Sequence, residues 1–263
     1  MVQMSSSEDK QENLDDSIGF ITEAADRGAD LVCFPEFQMA FSPNNQSALQ
    51  LAGIAEPIRG NFISKLRGAA KKNGIGVVAA IYEKSGKSDR VYDTAVMINT
   101  SGRISSVYRK LHLYNALGFQ ESAKLVPGKK INRPVSTDAG KVGLLICYDL
   151  RFPELSRILT VKGADILVAP SAWVAGEMKE EHWQTMIKAR AIENGSYVIA
   201  PDQLGNIYCG RSMAVDPFGV VLADMGDREG VEVVDVDKSR LQKIRRSLPL
   251  LQNRRTDVYE LSY

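Results

Sequence analysis

Residues 141–154 read KVGLLICYDLRFPE, with apolar Val142, Leu144, Leu145 and Ile146 running directly into Cys147, Tyr148 and Asp149. A buried strand that ends at a cleft has this pattern, because the apolar run supplies a rigid base and the turn after it exposes the thiol. A cysteine packed in a core reads the same way, since unpaired cysteine is among the most buried residue types. The distinction rests on what else in the chain behaves like this stretch.

Outward from it, helical and strand periods alternate. Leu14, Ile18, Ile21 and Ala25 recur at helical spacing, Ser5 and Glu8 have capping-box spacing upstream, and Gly28 stands where that helix would stop. The strand-like DLVCFPE follows. The same order returns as Phe62 to Lys72 before Gly74 and IGVVAAIYEK, as Leu155 to Lys162 before Gly163 and DILVAPS, and as Thr185 to Glu193 before Gly195 and YVIAP. Two hairpins are expected, TAVMINTSGRISSVYRK turning at Thr100 to Gly102 and SMAVDPFGVVLADM turning at Asp216 to Gly219. The chain is therefore read as α/β with mixed sheets. RGADLVCFPE and KGADILVAPS resemble each other, as two related helix–strand units or as two chance-alike joints. No low-complexity linker divides residues 1–263, which are read as one domain.

Composition excludes several classes of function. The 263 residues are 44% hydrophobic, enough to bury a core without disulfide staples. Cys33, Cys147 and Cys209 are odd in number, far apart and without metal-ligand spacing, which favours a reducing, cytoplasmic setting with no metal or cofactor. A formal net charge of +1 and only short basic clusters argue against a nucleic-acid partner. The opening MVQMSSSEDK has no basic and apolar leader, and no apolar run reaches the roughly 20 residues that span a bilayer, so a soluble protein is expected.

Three strand ends carry candidate chemistry: Glu36 after LVCFP, Lys110 after ISSVYR and Cys147 after VGLLI. Ligand sites of α/β proteins gather at such ends. Each residue alone reads more readily as a solvated turn or a packed thiol; three together are harder to dismiss. A nucleophilic cysteine needs a group that takes its proton or stabilises its thiolate. Histidine is the usual one, and His112 and His182 are the two available, so a Cys-His hydrolase or acyl transferase stays open. A carboxylate in a dry pocket, balanced by an ammonium, could do the same work.

FPEF around Glu36, YRKLHL around Lys110 and GLLICYDLRFPEL around Cys147, in that order, resemble the carbon–nitrogen hydrolase (nitrilase) superfamily with its Glu-Lys-Cys triad. The likeness continues through GFQESAKLVPG, GADILVAPSAW, HWQTMIKARAIENGSYVIA, GRSMAVDPFG and LPLLQNRRTDVYEL, and so covers nearly the whole chain. Cys-Tyr-Asp, where nitrile-hydrolysing members carry Cys-Trp-Glu, is similar to the amidase branch that includes omega-amidase and deaminated-glutathione amidase. The resemblance implies a four-layer α-β-β-α sandwich that forms a homodimer or larger assembly, and a first strand ending in VQM.

It also implies roles. Cys147 attacks a small amide, Glu36 moves the proton, Lys110 with the Tyr148 N–H holds the oxyanion, and Glu121 orients the substrate amide on the way to acid and ammonia. Tyr148, Ser171 and Trp173 are expected to line the acyl site. Nitrilase and N-carbamoyl hydrolase chemistry on the same fold, and a non-catalytic binding subunit, are the alternatives. Arg211 stands where the likened amidases have histidine. Arg151 and Glu154 are expected in an ion pair or a dimer contact, and Cys33 as a small buried hydrophobe.

Overall fold

Helix α1 (Lys10–Asp26) begins at Asp9, whose carboxylate accepts from the N–H groups of Gln11 and Glu12. Ser5 and Glu8, expected to form the cap, do not: Ser5 donates its N–H to Glu229 and Ser6 to Gln203, so long-range bonds hold this segment extended. The computed structural model describes residues 1–86 and 89–259.

Before α1 lies β1 (Val2–Gln3), which pairs with a distant strand; after it come β2 (Leu31–Cys33), α2 (Ala48–Ile54), α3 (Asn61–Asn73), β3 (Gly76–Lys84), β4 (Val91–Ile98) and β5 (Ile104–Arg109). Strands β2-β3-β4-β5 form one sheet, parallel in its first pair and antiparallel after it. The second part of the chain holds β6 (Val135–Ser136), β7 (Lys141–Leu144), α4 (Pro153–Val161), β8 (Ile166–Val168), α5 (Lys179–Asn194), β9 (Tyr197–Ala200), β10 (Leu204–Gly205), β11 (Tyr208–Cys209), β12 (Met213–Val215), β13 (Val221–Asp224), β14 (Gly230–Val231) and α6 (Lys238–Ser247). Its sheet runs β13-β12-β9-β8-β7-β6, with β7, β8 and β9 parallel.

Alternation along the strands makes the layers. In β3, Val77, Ala79 and Ile81 face Leu14 and Ile21 of α1 and Phe62, Ile63 and Leu66 of α3, while Val78 shares a core with Leu144, Val168 and Val198 of the other sheet. Helices α4 and α5 close the far side through Leu155, Leu159, Ile187 and Ala191. This is the α-β-β-α sandwich. Among the described residues no helix is long and apolar enough to cross a membrane.

The two similar segments fold alike. The Phe34 N–H donates to Val78 and the Ala169 N–H to Ile199; Gly76 donates to the Asp30 carbonyl and Tyr197 to that of Asp165; Ala29 donates to Ala24 and Ala164 to Leu159. Gly28 and Gly163 both take positive φ, 78° and 99°. Strands β2 and β8 each lead through a parallel neighbour into two antiparallel strands. The sequence likeness of these joints thus marks an internal structural repeat. Both expected hairpins are present, and α2 is an element the sequence reading passed over.

Candidate active site

The side chains from the three strand ends meet at one end of the sandwich. Lys110 follows β5 and is fixed on both sides, its N–H donating to the Asp93 carbonyl and its own carbonyl accepting from Gly128. Gly128 has to be glycine here: a Cβ would lie 2.2 Å from the Arg109 carbonyl oxygen. The Lys110 ammonium donates 2.7 Å to Glu36 and 2.9 Å to Glu121, and it stands 3.8 Å from Asp93. Lys110 and Glu36 are each 1% exposed.

Glu36 is held as firmly. Its Oε2 accepts from the Ala172 N–H at 2.9 Å, its N–H donates to the Ser171 carbonyl, and its carbonyl accepts from the Gln203 amide. Glu121 opens a short 3-10 turn and accepts 2.7 Å from the Tyr114 N–H.

Cys147 sits three residues beyond β7 with φ of 41°, a left-handed conformation that strains a residue with a side chain by about 1–3 kcal/mol. Neighbouring bonds enforce it. Its N–H donates to Pro170, that of Leu145 to Val168 and that of Ile146 to the Asp149 carboxylate. Asp149, fully buried, also accepts from the Tyr108 hydroxyl at 2.6 Å and from the N–H and Nδ1 of His112. It therefore ties the turn after Cys147 to the strand that carries Lys110.

Electrostatics follow from this burial. Desolvation pushes the Cys147 thiol well above its ordinary pKa and the Glu36 charge adds to the rise, against the pull of Lys110 and the Ala172 N–H. Burial opposes the Lys110 ammonium, but Glu121 and Glu36 outweigh it and its pKa rises. Burial raises Glu121, with Lys110 opposing.

Cys147 opens into a cavity of about 510 Å³ lined by aromatic rings, among them Phe37, Tyr82, Tyr114, Tyr148, Trp173 and Tyr208. Glu121, Tyr148 and Trp173 reach this wall, while Glu36 and Lys110 are buried behind it. Ser171, expected on the acyl wall, is placed otherwise: fully buried, its hydroxyl donates to Ala169, and it serves Glu36 through its backbone. Arg211 also lies off the cavity, paired with Asp224 and Glu180 and accepting the Trp183 indole N–H on its carbonyl. Neither histidine lines the cavity. His112 is bound to Asp149 and stacked 3.7 Å from Phe152, and His182 faces Arg151.

Arg151 also reaches the cavity, with its guanidinium 4.6 Å from the centre of the Trp173 ring. Cys33 is buried and pushed up to about 11 by desolvation. Cys209 contacts Asp202 at 3.4 Å and is pushed far above the ordinary thiol range, by burial first and by that carboxylate. Asp93 and Lys179 carry no motif that marks them in the sequence, yet both are buried, Asp93 beside Lys110 and Lys179 on the cavity wall. Among the described residues no group of His, Cys, Asp and Glu side chains is arranged to hold a metal ion.

Comparison with known proteins bears on this constellation. Residues 1–246 match the family model described as carbon-nitrogen hydrolase. The chain is 36% identical to the deaminated glutathione amidase of Bos taurus, covering 98% of this chain and 81% of that protein. It is 35% identical to the Escherichia coli O157:H7 protein of that name, covering 93% and 92%. Among solved structures, Saccharomyces cerevisiae Nit3, a member of branch 10 of the nitrilase superfamily, superposes with a TM-score of 0.86 at 31% identity, covering 97% of this chain and 95% of that one.

Proposed function

Given that the chain belongs to the carbon–nitrogen hydrolase family, and so is a hydrolase of C–N bonds other than peptide bonds, we propose that it converts a small amide to the acid and ammonia through a thioester on Cys147. The observation that carries this reading is the Lys110 ammonium shared between Glu36 and Glu121, 2.7 and 2.9 Å away, behind the cavity that Cys147 lines.

In the first half, the Cys147 sulfur bonds to the amide carbonyl carbon as Glu36 takes the thiol proton. The carbonyl oxygen becomes an oxyanion facing Lys110 and the Tyr148 N–H. Glu36 returns the proton to the nitrogen, the C–N bond breaks, ammonia leaves and the acyl group stays as a thioester. In the second half, water gives Glu36 a proton and attacks the thioester; the C–S bond breaks, Cys147 regains the proton and the acid departs. Glu121 would orient the amide NH₂, a donor that a carboxylate can accept. The named relatives are amidases of deaminated glutathione, which supports an amide as substrate.

The reading extends to setting and assembly. Three thiols with no disulfide among them suit a reducing cytoplasm. Exposed Ile192, Phe218, Val220 and Leu222 supply an apolar surface suited to a second copy of the chain. The C-terminal LPLLQNRRTDVYELSY, which family likeness suggests packs on a neighbouring copy, includes residues 260–263, which lie outside the described residues.

The test is ammonia release from small amides, carbamoyl amino acids and nitriles, with the Cys147→Ala protein as blank. Amides are expected to be the substrates. Absence of ammonia above the blank from any of them refutes the reading, and turnover that depends on His182 but survives loss of Glu36 assigns Cys-His chemistry instead.

A further inference from the structure

Asp93 stands in β4 and is 1% exposed, yet neither of its carboxyl oxygens meets a hydrogen-bond donor among the described residues. An ionised carboxylate can only accept, and burying one without donors is costly. Its neighbours do not relieve it. The Lys110 ammonium, 3.8 Å away, donates instead to Glu36 and Glu121. Tyr82, the partner of Asp93 across β3 and β4, is a phenol that burial holds well above its ordinary pKa. Tyr108 on β5 gives its hydroxyl proton to Asp149.

One ammonium thus serves three carboxyl groups, Glu36, Glu121 and Asp93. Like charges that share a desolvated site do not all ionise, and one of them keeps a proton. Donors decide which. Glu36 accepts from Lys110 and the Ala172 N–H, and Glu121 from Lys110 and the Tyr114 N–H. Hydrogen bonds given to a carboxylate favour its charged form. Asp93 receives none, so a proton costs least there. Burial first, and then the Glu36 charge, favour that neutral acid against the pull of Lys110. Once protonated, Asp93 has an O–H to give, and the carboxyl within hydrogen-bond reach of it is Glu36.

We propose that Asp93 is a positioning residue that keeps a proton on its own carboxyl and donates it in a hydrogen bond to Glu36, so that Glu36 stays ionised and free to take the Cys147 proton. The assignment rests on the amidase reading above for the role of Glu36 and on the three carboxyl groups around Lys110 for the place of the proton. Were Asp93 ionised, the proton of the cluster would fall to Glu36 or Glu121, and a protonated Glu36 is no base. With the proton held on Asp93, Glu36 is ready before each half of the reaction, and the O–H of Asp93 fixes its direction.

The experiment compares the pH profile of kcat/KM for a small amide in the wild type, Asp93→Leu and Asp93→Asn, with melting temperature to report folding. The acid limb of that profile follows the base of the free enzyme. Leucine keeps the approximate shape and removes the donor, so Glu36 holds its proton more tightly, and the limb is expected to move up by about one to two pH units. Asparagine supplies a permanent N–H donor and is expected to bring the limb most of the way back. A limb in Asp93→Leu that coincides with the wild type, or one in Asp93→Asn displaced as far as in Asp93→Leu, overturns the proposal. In parallel, infrared spectra at neutral pH are taken of protein isotope-labelled at the aspartate side-chain carboxyl carbon. A protonated-carboxyl C=O band that shifts with the label and is lost in Asp93→Asn is expected, and a wild type without such a band overturns the proposal. If the wild type hydrolyses no amide, the amidase reading fails, and the infrared band still decides whether Asp93 holds the proton.

Discussion

Asp93 lies directly across the strand pair from Lys110: its carbonyl accepts the Lys110 N–H at 2.9 Å, and its carboxylate stands 3.8 Å from the Lys110 ammonium. No donor among the described residues reaches either carboxylate oxygen. Burial, then the neighbouring Glu36 charge, pushes its pKa well above the carboxylate range despite Lys110.

An acid whose folded pKa is raised contributes stability that is whole below its unfolded value, near 3.9, and drains away as pH rises toward the folded value. Asp93→Asn removes that drain. Its melting temperature is expected to match the wild type near pH 4 and to exceed it increasingly toward neutral pH, with kcat/KM changed less than about tenfold. Thermal melts across pH check this, and a wild type that gains on the variant as pH rises would contradict it.

Lys110→Met would remove the donor proposed for the oxyanion and leave Glu36 and Glu121 buried without their cation. Turnover is expected to fall by at least about 10²-fold, with a loss of stability on the order of 3 kcal/mol. Adding Glu121→Gln should recover part of the stability and none of the rate. Recovery of both would assign Lys110 a purely structural role.

The thiols should separate by reactivity. Burial raises all three thiols, so access decides: Cys147 lines the cavity, with Glu36 as its proposed base, and Cys33 and Cys209 do not line it. Iodoacetamide mapped by mass spectrometry is expected to modify Cys147 first, and more slowly in Glu36→Gln, because the proposed base that would generate the reactive thiolate is then missing. Cys33→Ser should leave turnover within about threefold of the wild type.

Amides should be hydrolysed faster than nitriles of the same acyl chain. A nitrile gives a thioimidate that must be protonated and hydrated, and it lacks the NH₂ that Glu121 would bind, leaving that carboxylate unpaired. Matched pairs compared by kcat/KM across several acyl chains decide the point.

Apolar runs broken by a charged or sulfur-bearing residue made Glu36, Lys110 and Cys147 legible, because buried strands must be apolar and their ends alone are free to carry chemistry. Glu121 came through family likeness. Lys179 was hidden because MKEEHW reads as the solvated start of a helix, and the Met178 turn at φ 55° that aims it inward has no sequence signature. Asp93 lies inside VYDTAV, where one acid among apolar residues looks like an outward-facing strand position; only the facing strand shows that it points at Lys110. Likeness put Ser171 on the acyl wall, and likeness does not tell side chain from backbone function; Ser5 lost the cap because tertiary bonds hold it and Ser6 to Glu229 and Gln203.

The repeat bears on how the proposed chemistry is divided along the chain. Glu36 and Ser171 hold corresponding places in the two copies and touch, through the Glu36 N–H and the Ser171 carbonyl. The acid and the ammonium belong to the first copy and the thiol to the second, so neither half alone carries the whole proposed catalytic set. Severed between Lys110 and Lys141, the molecule would become two inert fragments whose rejoining is reported by returning turnover, a complementation readout of the seam between the sheets.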